Sequence, residues 1–175
     1  MDLGSGCCDF ELAEVTLQVA LSGDVGRLDS VEVDQLDLAG TDGGELEGDL
    51  AADGTDVRRV TNATGYDGGP FYSPDGKRIC FRGFRNPKNP RLANLYVIDA
   101  DGKNEKQLTF DAAVNWAPYW HKDGDVLVWS KGLGGGRNFE LFLIRLSDNS
   151  VVRLTRSSAQ DVLPVFSHDG TRLMW

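Results

Sequence analysis

Cysteine and histidine are scarce in this sequence, and long apolar runs are missing. Three cysteines, Cys7, Cys8 and Cys80, make no disulfide framework, and no metal spacing completes a zinc site around them. Cys80 lies in an apolar strand pattern and reads as a small buried hydrophobe. The redox compartment stays open on such a count. His121 and His168 have no companion ligands; each stands just before an Asp-Gly pair, where support of a turn is the expected role. No apolar run approaches the roughly 20 residues needed to cross a bilayer. The opening MDLGSGCCDFELAEV has neither a basic start nor an apolar stretch, so no export signal is legible in it. A G-x-S-x-G elbow is missing, which excludes a nucleophile of that kind, and so is EF-hand spacing. The glycine-rich run Gly132–Arg137 has no Lys-Ser/Thr ending and opens no helix, which excludes a phosphate loop. No cofactor or metal is expected.

Charge is present in quantity but unevenly spread. Residues 1–52 hold 13 Asp and Glu against one basic residue, Arg27, whereas residues 53–175 hold 14 acidic and 17 basic residues. The net charge of −9 therefore averages two different segments, and the break falls near Asp53. In the second segment Lys and Arg are scattered rather than gathered on one element, so nucleic acid is not an expected partner. In the first, Glu14–Val19 and Ser30–Leu36 alternate like strands, yet the charge density resists packing. Residues 1–52 are thus read as disordered, as weak strands leaning on the neighbouring segment, or as an artefact of translation.

From residue 53 onward the chain repeats itself. Thr61, Pro70 and Asp75-Gly76 recur as Thr109, Pro118 and Asp123-Gly124, then as Thr155, Pro164 and Asp169-Gly170, at spacings of 48 and 46 residues. The first two units each spell four strands. Pro70–Tyr72 is the first, Asp75-Gly76 the tight turn, and Arg78–Phe81 the second strand. Asn94–Ile98 is the third, dense in β-branched and aromatic residues, and Lys106–Thr109 the fourth, half polar. Four strands in about 45 residues is the spacing of propeller blades.

The run Val57–Asn62, Gly65-Tyr66-Asp67 and Pro70–Ile79 resembles the TolB-like β-propeller repeat family, a WD-like repeat. The later units fit more loosely, since His121-Lys122 and His168 stand where the first has Ser-Pro. The resemblance covers residues 53–175 and implies an all-β fold of two to three four-stranded antiparallel blades. Propellers close with four to eight blades, so this is expected to be part of a larger, six- to eight-bladed ring whose other blades lie outside the chain. Assembly of copies and an open array are the alternatives. The resemblance further implies a periplasmic, non-enzymatic scaffold that binds protein or peptide. Two rivals stand beside it: the substrate-gating propeller of a prolyl-oligopeptidase-type peptidase whose catalytic domain is absent here, and a carbohydrate or cation binder.

Strand order places the candidate site. In an up-and-down blade the turns after strands one and three share one side, and here they are tight. The connections after strands two and four share the other and read as long, and long loops on a rigid scaffold are where binding concentrates. On that side Asp67, Asn115 and Asp161 occupy one repeat position, three residues before the shared proline, and form a candidate ring at the channel mouth. The alternative is that each shapes its own loop through local hydrogen bonds. Arg82, Phe84, Arg85, Arg91, Trp116 and Arg137 complete the candidate binding face.

Overall fold

The structure, a computed structural model, describes strand Gly48–Asp49 and residues 58–175; the readings made on Cys7, Cys8 and the alternating segments of the acidic N-terminus lie outside these. Among the described residues there is no helix, and so none long and apolar enough to cross a membrane. Twelve strands among the described residues form two complete four-stranded sheets and two strand pairs. β1 (Gly48–Asp49) pairs with β2 (Arg58–Arg59). The first blade is β3 (Tyr66–Tyr72), β4 (Arg78–Phe84), β5 (Asn94–Asp99) and β6 (Lys106–Gln107), in that spatial order. The second is β7 (Val114–Trp120), β8 (Val126–Leu133), β9 (Asn138–Arg145) and β10 (Val151–Arg153). β11 (Val165–Phe166) and β12 (Leu173–Met174) begin a third unit. This is a partial β-propeller.

Register proves the repeat. Phe71 faces Cys80, Tyr119 faces Val128, and Val165 faces Met174, so the same position pairs identically in three units. Gly48 facing Arg59 likewise matches Tyr96 facing Gln107. Strand alternation then sends the two faces of each sheet to different neighbours. Cys80, Leu95 and Val97 pack from the first blade against Trp120, Leu127, Trp129 and Ile144 of the second. Ile79, Phe81, Tyr96 and Ile98 cover the opposite face with Val60. With both faces buried, the middle strands read as continuous apolar runs rather than as an in-out alternation. Each fully buried aliphatic or aromatic side chain contributes roughly 1.5–3 kcal/mol.

Polar bonds recur with the same period. Thr109 Oγ1 accepts the Leu95 amide at 2.9 Å, and Thr155 Oγ1 accepts the Leu141 amide at 2.9 Å. Arg59, Gln107 and Arg153, again equivalent, each donate to the carbonyl of the threonine two residues on, at 2.6, 2.6 and 2.8 Å. Between blades the Asn115 amide donates to Ala93 O and the Asp161 amide to Phe139 O, both at 2.9 Å. The recurring threonine therefore closes the third strand of its own sheet.

Two strand assignments differ from the sequence reading. The first strand starts at Tyr66, not Pro70, because a left-handed residue before the proline lets the chain bulge and continue pairing. Gly69, Ala117 and Leu163 share that position at φ 64°, 51° and 55°, and register shifts bracket it at Gly68/Phe71 and Trp116/Tyr119. The connection after β8 is also short. β8 and β9 pair as far as Leu133 and Asn138, leaving a four-residue hairpin in which Gly134, Gly135 and Gly136 all have positive φ. The glycines of that run make a turn.

Candidate functional site

The edge of the blades opposite the Asp-Gly turns carries a concave feature at the junction of the first two sheets. It is an open cleft of about 620 Å³ lined by Gly65, Tyr66, Arg82, Phe84, Pro90, Val114, Trp116 and Phe139. Its walls are ring pairs. Tyr66 meets Phe84 edge-on at 5.8 Å, and Trp116 meets Phe139 edge-on at 6.1 Å. The Arg82 guanidinium bridges them, 5.7 Å from the Tyr66 ring and 5.6 Å from that of Trp116. Gly68 makes room for this: a Cβ there would lie 2.2 Å from the Tyr66 hydroxyl oxygen and 2.3 Å from the ring itself. Gly69 does the same for Arg82, whose Nη1 would lie 2.5 Å from an added Cβ. Mostly apolar walls with few polar groups are the usual lining of a binding cleft.

Three of the nine residues singled out from sequence, Arg82, Phe84 and Trp116, line this cleft, and all three sit on strands rather than on loops. Arg85 is drawn elsewhere. Its Nε and Nη2 reach Asp67 at 2.7 and 2.5 Å, its Nη1 reaches Glu105 at 2.6 Å, and Tyr96 lies 4.3 Å beneath it. Burial opposes the charge on Arg85, but the two carboxylates hold its proton above the usual arginine range. Arg91 and Arg137 are exposed and outside the lining.

Asp67, Asn115 and Asp161 are turned inward, at 1%, 0% and 8% exposure. Asp67 is taken up by Arg85. The Asn115 amide nitrogen donates to Asp111 at 3.0 Å, and its oxygen accepts the Trp129 indole N–H at 2.9 Å. Asp111 is tied in turn to Lys131. Asp67 and Asn115 are thus held by side-chain bonds within their own blades, and Asp161 is buried beside its backbone bond to Phe139 O. Sequence reading also passed over Glu140, which is fully buried. Burial works against its ionisation, yet bonds from Thr155 Oγ1 at 2.7 Å, the Ser157 amide at 2.9 Å and Arg153 hold it below the usual carboxylate range. Gly65, Tyr66, Pro90, Val114 and Phe139 were missed as cleft residues; the signal for three of them is position, since Tyr66, Val114 and Phe139 lie at the starts of strands on the long-loop side.

His121 behaves as a turn residue. Its Nδ1 lies 2.9 Å from Asp123 and its Nε2 3.1 Å from Gly170 O, joining the turns of successive units. Cys80 is a fully buried core residue whose thiol pKa is pushed up by burial. Among the described residues no group of three or more His, Cys, Asp or Glu side chains could hold a metal ion.

Comparison with known proteins supports the same architecture. No family model matches the chain. It is 28% identical over 120 residues to the Tol-Pal system protein TolB of Nitratidesulfovibrio vulgaris, covering 69% of this chain and 26% of that protein. The crystal structure of TolB from Acinetobacter baumannii superposes with a TM-score of 0.62 at 23% identity, over 72% of this chain and 30% of that one. An oligogalacturonate lyase in complex with manganese shares the fold, with a TM-score of 0.54 at 18% identity over 70% of this chain and 33% of that one. The chain thus spans about a quarter of the TolB sequence it matches. Its repeats are similar in sequence to part of a TolB protein.

Proposed function

We propose that the chain is a non-enzymatic, TolB-like propeller scaffold, part of a larger periplasmic protein, that binds a protein or peptide segment at its long-loop edge. The observation that carries this reading is the cleft between Tyr66–Phe84 and Trp116–Phe139, an aromatic recess built on strands. Rigid strands hold ring positions more closely than loops do, and aromatic anchors in a recess dominate peptide recognition. The residues beneath it are fixed by the Asp67–Arg85 pair and the Asn115–Trp129 bond, so the recess is formed before a ligand arrives. The TolB likeness favours a protein partner and an extracytoplasmic location.

The test is selection of a random heptapeptide display library on the 175-residue chain. Peptides are expected to be recovered, and Trp116→Ala or Phe84→Ala should weaken them at least about tenfold, the loss of one anchoring contact, with the β-sheet circular dichroism unchanged. Recovery of no peptides, or binding indifferent to both substitutions, overturns the reading. A galacturonic acid trimer is the control, because ring faces and an arginine also suit acidic sugars; its saturable binding without any peptide binding favours the carbohydrate reading.

A further inference from the structure

Arg82 is the charged group in the cleft, and its surroundings leave its charge unanswered. Among the described residues no carboxylate lies within ion-pair distance of it. Its guanidinium meets, among the described residues, two ring faces and makes a long 3.4 Å bond from Nη2 to the Tyr66 hydroxyl. Its Nε is buried and has no hydrogen-bond partner among the described residues. The neighbouring Arg85, a few residues along the same chain, has a different surrounding: two carboxylates answer it. A buried donor left unpaired is unfavourable, and more so when the group is charged. Glycine at position 69 leaves room for the Arg82 guanidinium, since an added Cβ there would lie 2.5 Å from Nη1.

We infer that the cleft takes a peptide segment bearing a side-chain carboxylate beside an aromatic or proline residue, with the carboxylate on Arg82. This deepens the peptide-binding reading and rests on it. The geometry meets each half of that ligand. A carboxylate presents two oxygens that match the guanidinium fork, and such a charge-assisted pair is the strong form of the bond. The flanking ring or pyrrolidine has the faces of Trp116, Phe84 and Phe139 to lie on. Arg82 would be held between ring faces before the ligand arrives, so little side-chain entropy is lost on pairing. Lys88, Arg91 and Arg137, exposed on the adjoining connections, add a basic approach.

The experiment uses two end-capped pentapeptide mixtures, identical except for a central Glu or Gln, with flanks randomised over Phe, Tyr, Trp, Pro, Leu and Gly. Retention on the full chain is read by mass spectrometry, and the Arg82 Nε–H resonance by NMR. The Glu mixture should be retained about tenfold better, as expected for a charge-assisted bond replaced by a neutral one, and should shift the Arg82 resonance. Arg82→Gln should erase the preference and Arg82→Lys should keep part of it. Equal retention of both mixtures overturns the assignment of Arg82 while leaving peptide binding intact; retention of neither overturns both. If Arg82→Gln fails to fold, the Glu-to-Gln ratio on the unaltered chain still decides.

Discussion

The left-handed residue before each repeat proline gives a pair of opposed substitutions. Gly69, Ala117 and Leu163 share one backbone conformation, yet only the first is glycine. A side chain in that region is disfavoured by roughly 1–2 kcal/mol. Glycine in turn loses about 0.4–1 kcal/mol through the greater freedom of the unfolded chain. Ala117→Gly should therefore stabilise by about 0.5 kcal/mol, the difference between these two effects. Gly69→Ala should do the reverse and more, because its Cβ would also sit 2.5 Å from Arg82 Nη1 at the cleft. A loss of about 1–2 kcal/mol is expected, together with weaker peptide binding. Urea unfolding followed by tryptophan emission measures both, at unchanged m-value. The reasoning is refuted if Ala117→Gly destabilises the chain by the roughly 0.5–1 kcal/mol typical of glycine placed in an ordinary strand.

Removing the cation from the Asp67–Arg85 pair should be severe. Arg85→Met leaves a carboxylate at 1% exposure without a partner, a loss of about 3–5 kcal/mol in urea unfolding, and Asp67→Asn in the same chain should recover much of it. Acid should destabilise the second blade. The carboxyls of Glu140 and Asp111 are opposed by burial but held down by their hydrogen bonds, so their folded values lie below the unfolded ones. Their contribution is full above the unfolded carboxyl pKa, about 4, and is lost as pH falls through the folded values. Denaturation midpoints should drop below about pH 4, less steeply in Glu140→Gln, and an unchanged slope would refute this. Cys80, buried with a raised pKa, should be alkylated by iodoacetamide at the rate of unfolding; rapid native labelling by peptide mapping would contradict its core position.

The blade plan was legible because its markers are local. Asp-Gly turns need a positive φ, which Gly76, Gly124 and Gly170 supply, and the threonine and proline recur for reasons internal to each sheet. Strand lengths were not legible. Gly65-Tyr66-Asp67-Gly68-Gly69 reads as a loop by composition, yet pairs as strand because Phe84 and Gly83 extend β4 alongside it. The inward turn of Asp67 depends on Arg85, 18 residues away, a distance over which no local pattern speaks. Of the residues named from the long-loop side, Arg82, Phe84 and Trp116 lie at the cleft, on strands rather than on the loops that pointed to them. The cleft itself arises where two blades meet, and Tyr66 and Phe139 join it only through that packing.

The most direct measurement is amide chemical-shift mapping of the chain on titration with a recovered peptide. Perturbations should centre on Gly65, Tyr66, Phe84, Val114, Trp116 and Phe139, with the turns at Asp75-Gly76 and Asp123-Gly124 unmoved. Shifts gathered at those turns instead, or spread evenly over both edges, would contradict a binding cleft at the junction of the first two blades.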